Sequence, residues 1–226
     1  MLMKNRIASF VDDRDGQFRV DRSVYLDQDL FNAELELLFE GGWVYLAHES
    51  QIPEPGDYFA TRMGRQPVFL VRKRDGGIAS YLNACAHRGA TLLPYERGHA
   101  NAFVCRFHGW AYNHDGQCIK IKNEETGAYL EDHVREKYPL QPVARIESYR
   151  GFIFGSLKSE VPALREWMGP AQLWIDLLAD QSPQGLEVVR GASTYTMQGN
   201  WKLQAENGVD GYHVSTVHRV FATTVA

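Results

Sequence analysis

The chain has 226 residues, 44% hydrophobic and 23% charged, enough for one complete domain of about 100 to 150 residues and part of a second. A net charge of −4 without a basic stripe argues against nucleic acid or an anionic membrane as partner. No apolar run approaches the ~18 residues of a membrane span, and the opening MLMKNRIASFVDDRDG lacks a signal-peptide core, so the expected location is the cytoplasm.

Residues 1–42 read as an N-terminal helical segment. Over 28–40, Phe31, Leu35 and Leu38 fall on one helical face with Leu30 and Leu37 beside it, and Gly41-Gly42 end the helix. From Trp43 the period changes to that of short strands: WVYLAHE, DYFATRM, PVFLVRK, a turn at Asp75-Gly76-Gly77, then IASYLN. AFVC follows, and WAYN with QCIKIK flanks a turn at Asp115-Gly116. VARIESY and GFIFGSL close a β-domain over 43–157. Beyond it, Pro162 suits a first helical turn, Leu164, Trp167 and Met168 make an apolar stripe, and Gly169-Pro170 interrupt it before Trp174, Leu177 and Leu178 resume the pattern. Both tryptophans are expected in the core. A turn at SPQG (182–185) precedes an expected strand, LEVVRGASTYTMQG, and a helix is expected from Trp201 or Lys202.

Two loops between these strands carry metal-ligand chemistry. Cys85-Ala86-His87-Arg88-Gly89 and Cys105-Arg106-Phe107-His108-Gly109-Trp110 give the pattern C-x-H-x17-C-x2-H. Two thiolates and two imidazoles form the ligand set of a Rieske [2Fe–2S] cluster, with two cysteines on one iron and two histidines on the other. Tetrahedral Cys2His2 coordination also suits structural zinc, but the single-residue spacing of the first pair lies outside the usual zinc-finger range. The glycine after each histidine permits a tight turn in which backbone N–H groups approach the cluster sulfurs. The remaining cysteine, Cys118, is expected as a free thiol on a strand, and no disulfide framework is implied.

A second constellation is Asp210, His213 and His218, spaced D-x-x-H-x4-H. Two imidazoles and a carboxylate can form the facial triad of a non-haem Fe(II) oxygenase; by itself the pattern also suits a helix with satisfied polar residues. Five residues on an ideal α-helix advance about 500°, so His213 and His218 converge only across a π-bulge or a break, expected at Ser215-Thr216-Val217. Asp210 and His213, three apart, share a helical face.

Taken together, CAHRGATL at 85–92, CRFHGWAY at 105–112, SYRGFIFGSL at 148–157 and GNWKLQAENGVDGYHVSTVH at 199–218 make the chain resemble the N-terminal half of a Rieske ring-hydroxylating oxygenase alpha subunit. The resemblance lies closest to the benzoate, toluate and anthranilate dioxygenase branch and spans nearly the whole chain from residue 43. It implies an α+β architecture: an all-β Rieske domain presenting two cluster-ligand loops, then, over 158–226, the truncated start of an α+β catalytic domain. Implied cofactors are a [2Fe–2S] cluster on Cys85, His87, Cys105 and His108, and a mononuclear Fe(II) on His213 and His218, whose third ligand, a downstream aspartate, lies outside this chain.

By the same resemblance Asp210 is not an iron ligand; it bonds His213 and a cluster histidine of a neighbouring subunit, a catalytic link between centres. Glu206, Asn207 and Tyr212 are expected beside the metal. The implied reaction is NADH- and O2-dependent cis-dihydroxylation of an aromatic carboxylate. An NADH-dependent flavin and iron–sulfur reductase, small beta subunits and a head-to-tail alpha trimer are the implied partners. A monooxygenase of the salicylate hydroxylase type and a simple Rieske electron carrier are the alternatives. Family subunits continue for about as many residues again, so this chain alone is expected to be inactive.

Overall fold

The computed structural model describes residues 7, 9–127, 129 and 133–225. It divides into two compact units: Glu34–Arg190, and Met1–Ala33 together with Gly191–Ala226.

In the second of these, the short strands β1 (Val11–Asp12) and β2 (Arg19–Val20) pair antiparallel, and helix α1 spans Gln28–Glu34. The expected single α-helix to residue 40 instead continues as a π-helical turn over Leu35–Phe39. Leu30 is buried on the helix, whereas Leu37 and Leu38 are exposed. The apolar stripe marks a face without telling which of its residues are covered.

The β-domain is built from β3 (Val44–His48), β4 (Asp57–Met63), β5 (Gln66–Arg72), β6 (Ile78–Leu82), β7 (Arg97–His99), β8 (Phe103–Val104), β9 (Ala111–Tyr112), β10 (Cys118–Lys120), β11 (Arg145–Tyr149) and β12 (Phe152–Ser156). All pairs are antiparallel, in the orders β6-β5-β4-β7, β10-β9-β8 and β11-β12-β3. Strand β5 explains how one sheet serves two cores. Side chains alternate across a strand, so Phe69 and Val71 enter one cluster and Val68 and Leu70 another. The first cluster holds Tyr58, Phe103, Trp110 and Tyr112 together with Cys85, Cys105 and Cys118. The second packs Leu46, Ile52, Met63 and Ile153. Both ligand loops leave strand ends over the first cluster: one after β6, the other between β8 and β9. Cys118 lies buried on β10 as a free thiol, as the sequence leads one to expect.

Helices α2 (Leu164–Met168) and α3 (Gln172–Ala179) follow, separated at Gly169-Pro170 as expected. Pro162 lies just outside the first turn, because Ala163 is the capping residue. Leu164 and Met168 pack with Trp43 and Tyr149, but Trp167 and Trp174 are 51% and 71% exposed, contrary to their expected place in the core. Periodicity reveals an apolar face without revealing what covers it. Residues 186–199 form no ladder, and Val189 and Tyr195 lie open to solvent. An extended segment becomes a strand only beside a partner. Helices α4 (Trp201–Val209), α5 (Val214–Val217) and α6 (Arg219–Val225) complete the chain. Among the described residues no helix is long and apolar enough to cross a membrane.

Candidate metal centres

The two cysteine loops have one backbone design. In the first, Gly89 N–H donates to Cys85 O and Cys85 N–H to Ala90 O, each at 2.8 Å; in the second, Gly109 N–H donates to Cys105 O and Cys105 N–H to Trp110 O, again at 2.8 Å. Gly89 and Gly109 both have φ of 71° with open space where a Cβ would stand, so left-handed backbone, not crowding, demands glycine. The first loop is further held by buried Asn83, whose Nδ2 donates to Leu93 O (2.8 Å) while its Oδ1 accepts from Leu93 N (2.9 Å) and Leu92 N (3.2 Å).

These loops bring the expected ligands together as two pairs, His87 with His108 and Cys85 with Cys105, unequally buried. Cys85 and Cys105 are 3% and 2% exposed, whereas His87 and His108 lie half-buried at the rim. The two imidazoles face each other through Nδ1 atoms 3.1 Å apart, with ring centroids at 4.7 Å. Two nitrogens each about 2.1 Å from one metal ion stand about 3.0 to 3.4 Å apart, so the pair fits a shared metal. His87 stacks flat on Trp110, centroids 4.8 Å and planes 10° apart. Burial, reinforced by His108, Arg88 and His133, lowers the His87 pKa and favours the neutral imidazole that a metal requires.

The thiol side fits as well. Tyr112 accepts the Ala86 N–H at 3.2 Å and gives its own O–H to Cys85 Sγ at 3.1 Å. Burial drives the Tyr112 phenol far up, so it remains a donor. Sequence reading passed over Tyr112 and Asn83, since a tyrosine in a β-run and an asparagine at a strand end are unremarkable until the loops fold onto them. Burial also raises the Cys85 pKa, against the lowering effect of Tyr112, and Cys105 raises it further. Two adjacent buried thiolates are costly without a cation, which an iron centre supplies.

A pH dependence follows. A thiol whose folded pKa is raised stabilises the metal-free fold fully below its unfolded value, about 8.5, and loses that stability as pH climbs through the raised value. Thermal melts of the metal-free chain should therefore drop as pH rises above the unfolded thiol value of about 8.5, and Cys85→Ser should flatten the drop. An identical drop in the variant would remove Cys85 from this account.

The second histidine pair uses a helix break. Helix α4 begins at Trp201, where expected, with Asn200 Oδ1 accepting from Lys202 N at 3.1 Å. It ends at Val209; Asp210 is extended, His213 precedes the short α5, and His218 leaves helical geometry at φ −106° and ψ 30°. The break thus falls one residue beyond the expected Ser215-Thr216-Val217, and α5 and α6 are separate helices. It brings the His213 and His218 rings to 5.2 Å between centroids, 64° between planes.

Asp210 does not share a helix with His213, as the three-residue spacing had suggested, yet the two meet. Asp210 Oδ2 lies 2.9 Å from His213 Nδ1, and Oδ1 accepts from Tyr212 N at 2.7 Å. The Tyr212 N–H first, and His213 second, hold the Asp210 carboxyl below its ordinary range. With Nδ1 engaged, Nε2 of His213 is the nitrogen left to ligate a metal. Among the described residues no three of His, Cys, Asp and Glu converge on one point, so the facial triad read from D-x-x-H-x4-H does not form from Asp210. Glu206 bonds Tyr25, while the Tyr212 ring is 93% exposed.

The two halves of this arrangement match known families. Residues 42–146 match the Rieske [2Fe-2S] domain, and residues 186–226 match the catalytic domain of the ring hydroxylating alpha subunit. The chain is 49% identical to toluate 1,2-dioxygenase subunit alpha of Pseudomonas putida, over 94% of this chain and 47% of that protein. It is 44% identical to the anthranilate 1,2-dioxygenase large subunit of Acinetobacter baylyi, over 98% of this chain and 47% of the relative. Naphthalene 1,2-dioxygenase from Rhodococcus sp., solved with indole bound, superposes at a TM-score of 0.85 with 32% identity, over 98% of this chain and 48% of that one.

Fold and loops together define a Rieske iron–sulfur protein joined to the beginning of an oxygenase domain. Residues 42–146 thus belong to the Rieske [2Fe-2S] domain family and residues 186–226 to the catalytic-domain family of ring hydroxylating alpha subunits, and the chain is similar over nearly its whole length to the alpha subunits of Rieske ring-hydroxylating dioxygenases, a family that carries a [2Fe–2S] cluster and a mononuclear iron. It spans about half the length of the curated relatives it matches.

Proposed function

We propose that this chain forms the cluster-bearing half and the first iron-ligand segment of an alpha subunit that cis-dihydroxylates an aromatic carboxylate. The observation that carries the reading is the pairing, in one chain, of two mirrored Cys/His loops with a second, carboxylate-braced histidine pair. Cys85 and Cys105 would hold one cluster iron and His87 and His108 the other; His213 and His218 would hold the mononuclear iron. When bound, the cluster supplies single electrons and the mononuclear iron the place at which O2 is activated.

The residues of this chain then have separate tasks. Tyr112 and the loop N–H groups neutralise part of the thiolate charge, which favours accepting an electron. Trp110 keeps the His87 ring in one plane. Asp210 fixes the orientation of His213 and, being 47% exposed on its side chain, is accessible to a further partner imidazole from a neighbouring subunit. The ring, O2, two electrons and two protons balance as a cis-dihydrodiol, the electrons coming from NADH through a flavin and iron–sulfur reductase. The carboxylate preference follows the relatives acting on toluate, anthranilate and 2-halobenzoate.

An alpha subunit of the relatives' full length carrying this segment, assayed with its reductase, should convert benzoate-type acids to dihydrodiols in preference to benzene or naphthalene. Faster turnover of the uncharged rings, or a singly hydroxylated product, would overturn the assignment.

A further inference from the structure

Tyr25 ties the N-terminal segment to the helix that carries the second histidine pair. Its phenol oxygen lies 2.7 and 2.8 Å from the two carboxylate oxygens of Glu206, and its backbone carbonyl accepts from Asn200 Nδ2 at 3.3 Å. These partners, Glu206 and Asn200, are 181 and 175 residues away in sequence and sit in the second turn and at the cap of α4. The anchor is itself fixed. Tyr25 ends a 3-10 turn over Arg22–Tyr25, capped by Asp21, whose side chain accepts from Ser23 N, and the adjacent Val24 is buried.

Helix α4 needs such an anchor. It has nine residues and none is buried, and an isolated helix of that length is unstable in water. The bond from Tyr25 falls where it matters for the metal site. Glu206 O accepts the Asp210 N–H at 2.9 Å, closing the last turn, and the Asp210 carboxylate then holds His213 Nδ1. The Glu206 carboxylate keeps the phenol protonated, so Tyr25 is the donor of a charge-assisted bond.

We infer that Tyr25 is a positioning residue for the His213–His218 site: by clamping Glu206 and the helix cap it sets the last turn of α4, and with it Asp210 and the His213 ring. The inference rests on the reading of those histidines as iron ligands. It makes the N-terminal segment a working part of the catalytic domain.

The test uses a cluster-loaded alpha subunit of the relatives' full length carrying this segment, with cobalt(II) titrated at the histidine pair and followed by its visible bands, and amide exchange measured over 201–218. His213→Ala identifies the cobalt that belongs to the pair, and an unchanged Rieske absorption shows that each variant is folded. Tyr25→Phe should speed exchange in α4 about tenfold and weaken cobalt binding about tenfold. Glu206→Gln, which keeps an oxygen acceptor for the phenol, should stay within about threefold of wild type, while Glu206→Leu should match Tyr25→Phe. Unchanged cobalt affinity in Tyr25→Phe, with or without faster exchange, overturns the positioning role, as does a Glu206→Gln as weak as Glu206→Leu. A wild-type full-length subunit that takes up no cobalt at the pair instead overturns the ligand reading, and the two failures are distinguishable.

Discussion

Replacing His108 with cysteine should leave a cluster in place and lower its reduction potential by on the order of 100 mV or more. The direction follows from charge. A thiolate brings a full negative charge where neutral imidazole brings none, at a half-buried site where water screens it poorly, and all-cysteine clusters accordingly lie far below Rieske centres. His108 is the better of the two histidines to change, because His87 is stacked on Trp110 and its removal would also disturb packing. A redox titration followed by absorption or electron paramagnetic resonance reads the drop. An unchanged potential would show that His108 is not a ligand.

Asp210→Ala has the second large effect, and its form separates two roles. In a full-length alpha subunit carrying this segment, both metal centres should remain loaded and the cluster should still accept electrons, while product formation falls by tenfold to a hundredfold or more. The carboxylate bonds His213 Nδ1 at 2.9 Å and does not converge with His213 and His218 on one point, so its loss frees a ring without removing a ligand. A direct ligand would behave differently: the mononuclear site would empty. Iron occupancy, cluster reduction and turnover measured on one preparation decide between these outcomes, and normal turnover would return Asp210 to its turn-capping bond with Tyr212.

The cluster loops were legible in the sequence because their chemistry depends on residue identity and short spacing, and both survive folding without help from distant parts. The β-runs were legible for a related reason: DYFATRM and IASYL alternate, and the same residues form β4 and β6. What failed depended on partners. Trp167, Trp174 and Leu38 lie on apolar faces that periodicity detects, but nothing in a period says whether another element arrives to cover them. Residues 186–199 have strand propensity and no strand beside them. The convergence of His213 and His218 required a break, and helix geometry gave its necessity but not its place at His218. Tyr25, Asn83 and Tyr112 act through contacts distant in sequence, for which spacing carries no signal.

Metal and acid-labile sulfide analysis of the purified chain tests the central claim most directly. The expected cluster ligands stand in two pairs on facing loops, whereas no third His, Cys, Asp or Glu joins His213 and His218 among the described residues, so the account predicts a red-brown protein with about two iron and two sulfide per chain and little further iron. A colourless protein holding stoichiometric zinc and no sulfide would contradict it.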